Sequence, residues 1–251
     1  MSSAQQSTPA PRRPLRQRYP WLLPGGLLLL LVLLTVNAAT NGPLLRTDRK
    51  IRKFARVTRN SPGWRWLDGR LGPARLLADV SNPWLAISVL MVVAAVVAAR
   101  RRTVRPVLTA ATAVGVLAAI VVLAKSVIDR LNPSYNQYSA HTLLDGFPSG
   151  HAAAAYMCYI LAVLIIAPRP GPRARRIALG VVTALALAAG LALVWLGVHR
   201  FTEVVAGWAL AALVVPLALR VTGPRAGRQA GRAEQPAVPR AVPASADRDT
   251  G

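Results

Sequence analysis

Residues 106–124 read PVLTAATAVGVLAAIVVLA, a run without a charge that stops at Lys125. The run is apolar all round, with no polar face at either helical or strand period. That is the composition of a helix solvated by lipid. At about 1.5 Å per residue it comes close to the ~30 Å of a bilayer's hydrocarbon.

Working outward, five more blocks of this kind appear: Trp21–Thr40, Val80–Ala99, Ser149–Ala167, Ile177–Val198 and Val204–Leu219. The fourth and sixth spans are somewhat short, so their outer ends are expected at the interface. The first block is too long for a cleaved signal region and is read as a retained span. The expected fold is all-α, an integral membrane six-helix bundle.

Charge avoids the apolar blocks and gathers between them. The chain has 31 Lys and Arg against 9 Asp and Glu, a formal net charge of +22 over 251 residues. Basic residues placed this way fit anionic headgroups better than a nucleic-acid groove, so no nucleic-acid partner is expected. Residues 1–20 and 221–251 are polar, Pro-containing and basic, and are expected to be disordered tails around a membrane domain at 21–220. Residues 41–79 and 125–148 read as polar connections. Within the first, Arg46–Arg59 suits a basic helix lying on the headgroups.

Six spans put both termini on one side. That side carries 18 of the 31 basic residues, which predicts cytoplasmic termini and an outer face bearing the loops at 41–79, 125–148 and 199–203. The single cysteine, Cys158, lies in an apolar block and reads as a small buried hydrophobe.

The three histidines, His141, His151 and His199, fall on that same outer face. His151 follows Gly146-Phe147-Pro148-Ser149-Gly150, a chain break leading into an Ala-rich helix. A helix start offers unpaired N–H groups and the positive end of a dipole, which suits a phosphate. Ser149 is placed to cap that helix, and Gly150 lets the backbone approach closely. His199 ends the fifth span, with Glu203 four residues on. If helical, that stretch puts both on one face, where a carboxylate fixes the tautomer of the imidazole. Lys125 and Arg130 add fixed positive charge at the end of the third span. His141 reads as a loop residue. Trp21, Trp84, Trp195 and Trp208, near span ends, read as interfacial anchors.

Three of these segments resemble the marks of the type-2 phosphatidic acid phosphatase (lipid phosphate phosphatase) superfamily. The family's second segment, Pro-Ser-Gly-His, is complete as Pro148-Ser149-Gly150-His151. Its first, Lys followed after six residues by Arg-Pro, is matched by Lys125 and Pro133, but Asn132 stands for the Arg. Its third, Ser-Arg, five residues, His, three residues, Asp, is matched by His199. There Glu203 stands for the Asp, and Ala192-Leu193 for Ser-Arg.

The resemblance implies a six-helix bundle of the lipid phosphate phosphatase / vanadium haloperoxidase-like type. It implies hydrolysis of a lipid phosphate or polyprenyl (di)phosphate through a phosphohistidine, without metal or cofactor. By it, His199 would be the nucleophile, Glu203 its orienting carboxylate and His151 the general acid. Lys125, Arg130, Ser149 and Gly150 would bind the phosphoryl group. Arg200, beside His199, is a further cation within reach of the lost charge. The expected partners are an anionic lipid phosphate and the surrounding membrane lipids. Two other readings share the fold: a phosphotransferase to another alcohol, and a non-catalytic lipid-phosphate binder, suggested by the two altered Arg positions.

Overall fold

In the computed structural model, residues 21–67, 69, 71–132, 146–166 and 171–222 are described. The two expected tails, apart from residues 221 and 222, and His141 lie outside them. The described residues form eight α-helices: α1 (Leu22–Ala39), α2 (Leu44–Asn60), α3 (Pro73–Val80), α4 (Pro83–Arg101), α5 (Arg105–Leu131), α6 (Gly150–Ile166), α7 (Pro172–Trp195) and α8 (Phe201–Thr222). A 3-10 turn at Pro62–Leu67 links α2 to α3. Helices α1, α4, α5, α7 and α8 are long and apolar enough to cross a membrane, and α6 is a shorter apolar helix.

The shortest of these six is the most enclosed. Helix α6 packs against α4, α5, α7 and α8. Its Ala152, Ala153, Ala154, Ala155, Met157 and Cys158 are buried. The partners also offer small side chains, among them Ala86, Ala94, Ala110, Ala113 and Ala211. In lipid, the solvent is as apolar as the side chains, so close backbone approach and dispersion hold helices together, and small residues permit both. Gly207 of α8 shows the close approach: a Cβ there would stand 2.6 Å from the Ser149 carbonyl oxygen. Larger residues such as Leu29, Leu33, Val92, Leu123 and Val181 face outward. A large exposed apolar surface of this kind marks a membrane-facing exterior.

The structure changes three boundaries. The connection at 41–79 is largely helical, containing α2 and α3. The basic helix expected around Arg46–Arg59 is present as α2, but one face is docked onto the protein, with Leu45, Asp48 and Ala55 buried. The third span does not stop at Lys125. Its helix continues to Leu131 because residues 126–131 keep an apolar stripe, with Ile128 buried beside Lys125. Lys125 is therefore enclosed, at 7% exposure, not held at a span end with its amine in the headgroups. The fourth span is 17 residues long, whereas the sixth is longer than expected, at 22.

Among the tryptophans, Trp21 and Trp84 are exposed at helix starts, as belt residues are. Trp208 instead packs inward: a Cβ on Gly190 would meet its ring at 2.5 Å. Trp195 pairs with Trp64, their ring centroids 6.1 Å apart.

Candidate active site

One end of the bundle gathers the end of α5, the start of α6, the end of α7 and the start of α8, with α2 docked against α7 and α8. Ser149 precedes α6, and its hydroxyl accepts from the Ala152 amide at 3.2 Å. That satisfies one of the orphan donors of the helix start. The Ser149 amide donates to the Glu203 carbonyl oxygen at 3.0 Å, joining the start of α6 to the start of α8. Ser149 is fully buried, and both its amide and its hydroxyl are used by the fold. Of the expected phosphate-binding groups here, the backbone around Gly150 and His151 remains at the helix start.

The turn between α7 and α8 carries His199. Gly197 within it has φ +76°, a backbone region that glycine enters without a Cβ clash. His199 Nδ1 lies 2.9 Å from Glu203 Oε2, and its Nε2 lies 3.2 Å from His151 Nδ1. The two imidazoles meet edge to face, with centroids 5.3 Å apart. Glu203 is 1% exposed and His199 4%, whereas His151 is half-buried. A carboxylate accepts only, so His199 Nδ1 carries a proton and donates to Glu203. In the neutral ring, Nε2 then holds a lone pair and accepts from His151 Nδ1–H. Two histidines 48 residues apart thus share a line of hydrogen bonds ending on a carboxylate.

Glu203 is also tied to Arg200. Its Oε2 accepts from the Arg200 amide at 3.2 Å, and its Oε1 from the Arg200 guanidinium at 3.3 Å. Arg200 is thereby engaged with the carboxylate as a counter-ion. Lys125 is buried on the face of α5 that also carries Val121 and Ile128, and Ile128 packs with Phe147 just ahead of Ser149. Arg130 is exposed near the end of α5.

Asn132 is more than the turn residue its place before Pro133 suggests. Its side-chain amide donates to the Ala38 carbonyl at 2.9 Å, and its oxygen accepts from Asn41 Nδ2 at 3.2 Å. It fastens α5 to the end of α1. Ala192 and Leu193, at the other altered position, are buried at 6% and 3%.

Helix α2 holds the His199 turn from both sides. On one side, Arg59 Nη1 donates to the Leu196 carbonyl at 2.6 Å and Arg52 Nη2 to the Gly197 carbonyl at 3.2 Å. On the other, Asp48 Oδ1 accepts from the Thr202 amide at 3.1 Å and its Oδ2 from the Thr202 hydroxyl. Burial pushes the Asp48 carboxyl above its ordinary value, while the Thr202 hydrogen bonds pull it back. The sequence reading missed Asp48, Arg52 and Arg59. The available signal was the lone Asp inside a basic helix, which marks a carboxylate kept for a specific donor.

Residues 106–226 match the family model of the PAP2 superfamily. A solved structure described as the first transmembrane PAP2 type phosphatidylglycerolphosphate phosphatase, from Bacillus subtilis, has a TM-score of 0.64 and 22% sequence identity to this chain. The match covers 79% of this chain and 94% of that one. No curated protein matches. The stretch matched includes the three motif segments whose resemblance the sequence carried, and the chain shares the fold of the transmembrane PAP2 structure.

Proposed function

We propose that this protein is a membrane phosphatase that hydrolyses a lipid phosphate or a polyprenyl (di)phosphate through a phosphohistidine on His199. The observation that carries the reading is the line Glu203–His199–His151, at 2.9 and 3.2 Å. The match of residues 106–226 to the PAP2 family model and the shared fold with a transmembrane PAP2 structure support it.

In the first step, His199 Nε2 attacks phosphorus and the bond to the leaving oxygen breaks. His151, protonated, gives its proton to that oxygen. Glu203 stabilises the charge that develops on the His199 ring. In the second step, water attacks the phosphorus while His151 takes its proton. The P–N bond breaks and inorganic phosphate leaves. Phosphoryl transfer is mainly positioning and charge stabilisation. Here Lys125, Arg130 and the amides around Gly150 and His151 are the groups assigned to the phosphoryl oxygens.

Purified protein in detergent should release phosphate from a panel of lipid phosphates, and His199→Ala should abolish that release. Wild-type protein inert across the panel would overturn the reading. Addition of a lipid alcohol tests for a phosphotransferase: a phosphorylated alcohol as product would replace hydrolysis by transfer.

A non-catalytic lipid-phosphate binder is the second reading. It is favoured by Asn132, committed to Ala38 and Asn41, and by the buried apolar pair Ala192 and Leu193. Binding without turnover, surviving His199→Ala, would establish it. The excess of basic residues at the termini and the Arg-rich turns supports cytoplasmic termini, with the histidines on the outer face. Two of the basic residues weighing against this, Arg52 and Arg59, are bonded to protein carbonyls. Labelling of single cysteines placed in the 3-10 turn by an impermeant reagent, in intact cells, tests it.

A further inference from the structure

Arg52, Arg56 and Arg59 repeat at i, i+4 and i+7 along α2 and so share one face. With Trp195, Leu196 and Gly197 they line an open pocket of about 500 Å³. Among the described residues, no acidic side chain lines it. The opposite wall is the turn that leads, two residues past Gly197, into His199. Two of the arginines are held in place by that wall, Arg59 on the Leu196 carbonyl and Arg52 on the Gly197 carbonyl. A guanidinium has five N–H donors, so one such bond leaves Arg52 most of its fork. Arg56 is exposed and makes no hydrogen bond or ion pair among the described residues.

Capping carbonyls at the end of α7 explains Arg52 and Arg59, as cations suit a helix C-terminus. It does not explain Arg56, a third cation over the same pocket with no carbonyl or carboxylate of its own. Three like charges facing one cavity repel one another unless an anion enters it.

We propose that this pocket is a second oxyanion site beside the histidines. It takes a phosphate group other than the one being transferred. Planar guanidiniums match the oxygens of an oxyanion two at a time, which favours it over a halide, and three cations around one cavity favour the higher charge of a phosphate over that of a carboxylate. The role of the site as a neighbour of the transferred group rests on the phosphatase reading; its capacity to bind an anion does not. The anion has two possible sources, the headgroup phosphate of a lipid and a soluble phosphate or diphosphate.

The test is binding of inorganic pyrophosphate to the full chain in neutral detergent, by calorimetry, on a His199→Ala background so that no turnover intervenes. Arg56→Gln should weaken binding about tenfold, as loss of one charge-assisted contact does. Arg56→Lys should recover part of it. Arg102→Gln, at the opposite end of the bundle, should leave it within about twofold, on the scale of surface changes remote from a site. Arg56 is exposed, so its replacement does not put the fold at risk.

Unchanged binding in Arg56→Gln would overturn the proposal, as would an equal loss in Arg102→Gln, which would reduce the effect to net charge. Repeating the titration in nanodiscs with and without phosphatidylglycerol separates the sources. Competition by that lipid assigns the pocket to headgroups; its absence assigns it to soluble phosphate. An enzyme inert on all lipids would defeat the phosphatase reading and leave this binding result standing.

Discussion

Asp48 and Thr202, 154 residues apart in the chain, share two hydrogen bonds, from the Thr202 amide and hydroxyl to the two carboxylate oxygens. An acidic residue of α2 thus caps α8, three residues beyond His199. Loss of a cap costs about 0.5–2 kcal/mol. Asp48→Ala should therefore lower the melting temperature in detergent and reduce kcat by loosening His199. Asp48→Asn, which keeps an acceptor, should retain most of both. Equal damage in the two variants would show that charge, not the cap, is what matters.

The same residue gives a pH signature. Burial raises the Asp48 carboxyl above 3.8, so the folded protein binds its proton more tightly than the unfolded chain. Its contribution to stability is fully present below the unfolded value and declines as pH rises through the raised folded value. Relative to Asp48→Asn, wild-type protein should gain melting temperature on acidification from pH 7 toward pH 4. A gain in the opposite direction would mean that the hydrogen bonds from Thr202 outweigh burial.

Glu203 holds the proton of His199 on Nδ1. Replacing it with Gln offers an amide that can turn its NH2 toward the ring and favour the other tautomer. By analogy with triads that lose their carboxylate, kcat for phosphate release should fall about 10²–10⁴-fold, with KM little changed. A loss below tenfold would mean that Glu203 serves the fold through Arg200 and not the reaction.

His151 is assigned to the leaving oxygen, and a leaving group of low pKa needs no proton. His151→Asn should cost about 10²–10⁴-fold on an alkyl phosphate lipid and far less on an aryl phosphate with a nitrophenolate leaving group. Parallel losses on both substrates would remove the general-acid role.

Two glycines make a packing control. A Cβ at Gly207 would stand 2.6 Å from the Ser149 carbonyl oxygen, whereas nothing lies within 4 Å of one at Gly115. Gly207→Ala should force α8 from α6 at a cost of about 1–3 kcal/mol, and lower kcat through Ser149 and His151. Gly115→Ala should be neutral or stabilise by up to about 1 kcal/mol. Melting in detergent decides both.

Hydropathy placed the six apolar helices because lipid selects for long uncharged runs, a property of composition that needs no contacts. The His199–Glu203 pair was legible as well, because a spacing of four is a local relation, although His199 lies in the turn ahead of α8 and not on a helix shared with Glu203. Residues 125–131 were misread because a charged residue lowers local hydropathy even when its helix continues and encloses it. Asp48, Arg52, Arg59 and Asn132 were not legible as partners of the site. Each acts on a backbone or hydroxyl group distant in sequence, and a helix as basic as α2 satisfies headgroup chemistry equally well before its docked face is known.

Helix α6 sets how deep the chemistry lies. One of its ends is fastened to the arginine cluster by Arg101 Nη2, which donates to the Ile166 carbonyl at 3.0 Å. Arginines at that end belong at the level of the lipid phosphates. From there its 17 residues rise about 25 Å, short of the ~30 Å hydrocarbon slab. With that end at the phosphates, His151, at the far end, would lie below the opposite rim of the slab. A molecule anchored by acyl or isoprenoid tails would reach it sideways, its ester already near that height. A free sugar or nucleotide phosphate would have to sink from bulk water and give up hydration on the way, so under the phosphatase reading proposed above the depth of one short helix would favour tethered substrates.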